Sequence, residues 1–146
     1  MKRRNRATAQ LAVTALFVGG SLTMGAGQAS AAPSFTFEQT ARDSNGSFNV
    51  AVYTNHVYAG KAEWNADPVS GAPGDSLRAY DHYADGWSVE AILYKPYRVA
   101  STAGHASPHW TGWKSGNIKE GTTVKVRICM TRGYNSSCSD YYAGKA

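Results

Sequence analysis

Alternate positions along this chain are apolar in one short run after another, the period expected of strands with one buried face. Over 87–94, Trp87, Val89, Ala91 and Leu93 fall on one side and Ser88 and Glu90 on the other, with Ile92 and Tyr94 continuing the polar side. Val124, Val126, Ile128 and Met130 alternate with Lys125, Arg127 and Cys129. Phe35 and Phe37 predict a first strand, and Phe48, Val50 and Val52 a second. A third, over 57–64, has Tyr58, Ala62 and Trp64 on one face and Lys61 and Glu63 on the other. A closing strand is expected over about 137–143.

Turn residues divide these runs. Asn45-Gly46 and Asp85-Gly86 are hairpin dipeptides, and the second predicts a hairpin over 75–94 around which the other strands assemble. Pro68, Gly71, Pro73 and Gly74 make 65–74 a loop, and Lys95-Pro96 ends the strand before it. The stretch 99–116 reads as a long loop relieved by a short strand over 109–114; loops of that length are often functional. Short strands at this spacing predict an all-β domain, an antiparallel β-sandwich of immunoglobulin-like or jelly-roll-like type. Composition agrees: beyond residue 31 the chain keeps all four Trp and all nine Tyr but only two Leu, Leu77 and Leu93. An amphipathic helix would have little to bury.

The first residues are set apart. Lys2, Arg3, Arg4 and Arg6 precede an apolar run over 11–24 and a small-residue Ala29-Ser30-Ala31, the pattern of a secretory signal peptide over 1–31, cleaved after Ala31 or Ala32. Arg3-Arg4 lacks the hydrophobic motif of the twin-arginine route, so the general secretory route is favoured. The mature domain is then 32–146, and the expected location is extracellular. Charge changes with this reading. The chain has 15 Lys and Arg against 10 Asp and Glu, a net of +5, but four of the bases and none of the acids precede residue 32. The remainder, 11 against 10, nets +1 and holds no basic cluster. That composition excludes nucleic-acid binding, and no membrane association is expected after cleavage.

An exported chain meets oxidising conditions, so Cys129 and Cys138 are expected to pair as a disulfide. With Gly133-Tyr134 as a two-residue loop of type II′, Arg132 faces Asn135 and Cys129 faces Cys138 in a non-hydrogen-bonded pair, where Cα atoms lie roughly 4.5 Å apart. Redox chemistry would call for a Cys-x-x-Cys spacing and an electropositive setting that the sequence lacks.

Other chemistry is weaker. His105 and His109 are four apart, but Pro108 between them removes the helix that would make them metal ligands, and they read as exposed loop residues. Asp81-His82-Tyr83-Ala84-Asp85-Gly86 fails as a calcium loop, with Tyr83 at the third position and Ile92 where the bidentate Glu belongs. Asp81, Asp85 and Glu90 are the carboxylates of a hydrolase reading, although no spacing fixes a catalytic pair and no Gly-x-Ser-x-Gly elbow occurs. No catalytic residue, metal or cofactor is therefore assigned. Trp110 and Trp113, in His109-Trp110-Thr111-Gly112-Trp113-Lys114, are three apart and would point to opposite faces of a regular strand, one inward and one to solvent. With Tyr97 they form the candidate ligand-binding set, since exposed aromatic rings are platforms for sugars or protein partners.

Gly74-Asp75-Ser76-Leu77-Arg78-Ala79-Tyr80-Asp81, Ala84-Asp85-Gly86-Trp87-Ser88-Val89-Glu90-Ala91, Glu120-Gly121-Thr122-Thr123-Val124 and the closing Cys129 and Cys138 resemble small secreted proteins of actinobacteria such as Streptomyces. The resemblance covers about residues 64–146 and implies an exported β domain with no assigned reaction. The expected function is that of a monomeric, non-enzymatic binding module for an extracellular polysaccharide or secreted protein. An inhibitor of secreted hydrolases and a small hydrolase are the alternatives.

Overall fold

The computed structural model describes residues 32–146; the predicted signal peptide, residues 1–31, lies outside the described residues. Ten strands form two antiparallel sheets, the sandwich that the alternation predicts. The first sheet runs β1 (Phe35–Arg42), β2 (Phe48–Thr54), β3 (Val57–Asn65), β4 (Ser76–Asp81) and β7 (His109–Trp110). The second runs β10 (Tyr142–Lys145), β8 (Thr123–Arg132), β5 (Ser88–Leu93) and β6 (Arg98–Ser101), and β9 (Asn135–Cys138) also pairs with β8.

Between the sheets lie the apolar positions of each run. Val50 and Val52 of β2, Leu77 and Ala79 of β4, Val89, Ala91 and Leu93 of β5, and Val124, Val126, Ile128 and Met130 of β8 are closed to solvent. Each such Val, Leu or Ile contributes about 1.5–3 kcal/mol relative to exposure. Trp64 is the largest of the buried side chains, and its indole N–H donates to the Lys145 carbonyl at 2.8 Å, fixing β3 of one sheet to β10 of the other.

The predicted hairpin over 75–94 does not form. Its two strands, β4 and β5, belong to different sheets: β4 pairs with β3 and β7, and β5 with β6 and β8. Asp85-Gly86 is instead a bend in the passage between the layers. Asp85 Oδ1 accepts the Trp87 N–H at 2.9 Å and Oδ2 accepts the Thr54 hydroxyl at 3.2 Å. One carboxylate thus fastens the passage to the end of β2. A true two-residue turn sits at Asn55-His56, where φ of 48° and 69° and the facing pair Thr54 and Val57 define a type I′ hairpin.

A bulge corrects the predicted faces of β3. Val52 faces Gly60 and Tyr53 faces Tyr58, so Ala59 is an extra residue. Tyr58 therefore joins Tyr53 on the outer face rather than Ala62 and Trp64 inside, and the two rings meet edge to face at 5.9 Å. Gly60 is required there, because a Cβ would collide with the Tyr80 carbonyl oxygen.

The closing strand is broken in two. β9 and β10 lie end to end on one edge of β8, and Ser139 spans the gap, its N–H donating to Ile128 O and its hydroxyl accepting from Ile128 N–H. The β8–β9 register is as predicted, with Arg132 facing Asn135, Cys129 facing Cys138, and Gly133 alone of the turn pair at positive φ (58°). Cys129 and Cys138 are bonded, with Cα atoms 4.0 Å apart.

Candidate functional site

Alternation in β3 and β4 turns Lys61, Glu63, Arg78 and Tyr80 outward, and these side chains build the outer face of the first sheet. Glu63 sits between two cations, 2.5 Å from Lys61 Nζ and 2.6 Å from Arg78 Nε. The Arg78 guanidinium, held by that carboxylate, lies 3.9 Å from the ring centre of Trp110 and 4.2 Å from that of Trp113. Tyr80 stacks on Trp110 at 4.4 Å with 19° between the planes. The result is a continuous pile, Tyr80, Trp110, Arg78, Trp113. Tyr80, Arg78 and, at 5.1 Å, Lys61 thus all pack on Trp110, which remains 37% exposed.

Both indoles face outward, contrary to the expectation that three-residue spacing would separate them. Trp110 is opposite Tyr80, whereas Lys114 bridges Leu77, so this side carries one residue more than β4 across the same interval. Thr111 causes the slip. Its N–H donates to Ala79 O, and its hydroxyl accepts the Ala79 N–H at 3.0 Å in place of the next carbonyl. The bulge turns Trp113 from the Leu77 face to the Arg78 face.

Trp113 is half-buried where Trp110 is exposed, but of the two it is Trp113 that borders a cleft. It lines a cleft of about 350 Å³ with Asn49, Glu63, Asn65, Val69 and Arg78, roofed by Ser70, Gly71 and Ala72 of the 66–75 loop. Asn65 keeps that loop in shape by donating to the carbonyls of Asp67 and Pro73, both at 2.7 Å. Further along the face, burial pushes the Tyr58 phenol up to about 12, helped by Tyr80, Glu63 and Tyr53, so it remains a hydroxyl donor at physiological pH. The Tyr80 hydroxyl lies 2.9 Å from His82 Nδ1.

The remaining predicted residues fall elsewhere. Tyr97, 73% exposed, stands on the β5–β6 turn of the second sheet and is not part of the stack. His105 and His109 stack on one another at 4.0 Å and 6°. Asp81 and Glu90 line separate clefts, and Glu90 accepts from the Ser101 hydroxyl at 2.9 Å. Asp85 is spent on Thr54 and Trp87. Among the described residues no group of three His, Cys, Asp or Glu side chains could hold a metal ion. No motif marks Arg78 and Glu63, central to the face; their only sequence signal is that both fall at outward positions of strands flanking an aromatic pair.

Comparison with protein-family models, with curated proteins and with solved structures returns no match to this chain.

Proposed function

We propose that this chain is a non-enzymatic binding protein whose ligand is an extracellular polysaccharide, held on the outer face of the first sheet with Trp113 as its platform. The observation that carries this reading is the position of Trp113: one ring face braced by Arg78, the side chain bordering a cleft lined by Asn49, Glu63 and Asn65. A sugar needs both, an apolar plane for its C–H face and fixed polar groups for its hydroxyls. Trp110 serves as support, since it holds Arg78 from the other side of the pile and does not line the cleft. Export and kinship with the secreted actinobacterial proteins belong to the same proposal; the disulfide is compatible with an extracellular location. The inhibitor alternative calls for a clamped, projecting loop, and Cys129–Cys138 clamps the β8–β9 hairpin instead.

The test is affinity electrophoresis and calorimetry with soluble glucans, xylan, chitin oligomers and peptidoglycan fragments. Trp113→Ala should weaken binding about tenfold or more, roughly 1.4 kcal/mol, while Tyr97→Ala binds like the parent. A polysaccharide bound equally well by Trp113→Ala, or no binding across the series by the parent protein, overturns the reading.

A further inference from the structure

A second site lies where the chain passes between the sheets. Asp81 is the last residue of β4, and alternation after Leu77 and Ala79 turns its carboxyl inward. It is 2% exposed, and its Oδ1 has no hydrogen-bond partner. Buried carboxylates are ordinarily compensated by a cation. The ion pairs among the described residues join Lys61 and Arg78 to Glu63, and neither reaches Asp81.

Asp81 lines a cleft of about 300 Å³ whose other walls include Trp87, Ser88, His105 and Ser107. The walls are firmly set. Trp87 meets Phe35 edge to face at 4.9 Å, and His105 is braced by the parallel ring of His109. Burial raises the Asp81 pKa; the Ser107 hydroxyl opposes that, the charge of Asp85 adds to it, and the Tyr83 amide and His109 oppose it.

The chemistry of the cleft selects its occupant. A metal ion would need several donors, and among the described residues no group of three His, Cys, Asp or Glu side chains is assembled to supply them. A neutral hydroxyl would satisfy an oxygen but leave the charge. A primary ammonium does both, can donate to the Ser88 and Ser107 hydroxyls as well, and gains from the Trp87 ring. Rotation about the last side-chain bond of Asp81, a soft torsion, presents either oxygen to the cleft. The volume suits one sugar ring or a short alkyl chain.

We infer that this cleft binds a primary ammonium group on a compact carbon frame, seated on Asp81 with Trp87 as its apolar wall. Such a group is carried by an amino sugar or by a lysyl side chain. The experiment titrates the isotope-labelled protein, followed by amide and indole resonances, with glucosamine, N-acetylglucosamine, Nα-acetyl-lysine methylamide and calcium chloride. Glucosamine or the lysine derivative should shift the Trp87 indole and the 105–107 amides, and the better of the two names the source. N-acetylglucosamine, which keeps the ring but carries an uncharged acetamide in place of the ammonium, should bind at least tenfold more weakly. Asp81→Asn should abolish the ammonium response with the remaining spectrum intact, and Trp113→Ala should leave it unchanged. That last arm separates this site from the polysaccharide platform. Equal binding of glucosamine and N-acetylglucosamine by the parent protein overturns the inference without recourse to any variant. A calcium response at the same resonances, or an Asp81→Asn protein that still answers to the ammonium probes, does the same.

Discussion

Arg78 shows how much one side chain does on the outer face. Its guanidinium is planar, so it fills the gap between two indoles while Nε reaches Glu63. Arg78→Ala should lower unfolding stability by about 1–2 kcal/mol in urea titrations, from lost ring contacts and a charge-assisted hydrogen bond. Arg78→Lys should recover little of it, because an ammonium cannot stack on both rings. Asp81 acts in the opposite direction. Its pKa is raised in the folded state by burial, with Ser107, Asp85, the Tyr83 amide and His109 as its neighbours. The folded protein therefore binds this proton more tightly than the unfolded chain does, so the contribution to stability is full below the ordinary value of 3.8 and is lost as pH rises through the raised value. Asp81→Asn should thus raise the melting temperature at pH 7 by a few degrees, roughly 2–6 °C, and the gain should shrink toward pH 3.5 in thermal scans. At this scale the sequence was legible for burial and not for aim. The spacing marks Trp110 and Trp113 as a pair, but no propensity reports that the Thr111 hydroxyl would stand in for a carbonyl and turn the second indole round.

Among the elements, alternation located nearly every strand, because a period of two survives wherever one face is buried, and β2, β5 and β8 kept their predicted faces. Pairing was another matter. Whether β4 and β5 join each other or opposite sheets depends on partners far along the chain. The Asp85-Gly86 signal is the same in both cases. The β8–β9 hairpin was legible in full because the turn and both cysteines lie within ten residues. Its outer strand, with mostly exposed side chains, adds little to the core, so the disulfide carries the register. Replacing Cys129 and Cys138 together with Ser should cost about 2–3 kcal/mol, the loop-closure value for a separation of nine. Urea midpoints of the parent and the double variant should show it.

For the molecule as a whole, the two layers meet through side chains contributed by both sheets, and the candidate sites use different parts of that arrangement. The proposed polysaccharide platform is an outer face, set by alternation in β3 and β4 and by the Thr111 bulge that turns Trp113 onto it. The cleft beside Asp81, proposed to take an ammonium, exists only because the chain leaves one layer for the other there, so no local reading of residues 81–88 could have found it. A further consequence attaches to the same crossing. Were the backbone nicked at Ala84–Gly86, the leading piece would keep four strands of the first layer and the trailing piece the entire second layer with β7. Each fragment would offer the other its complementary half of the interior, which makes this bend the natural seam of a two-piece protein.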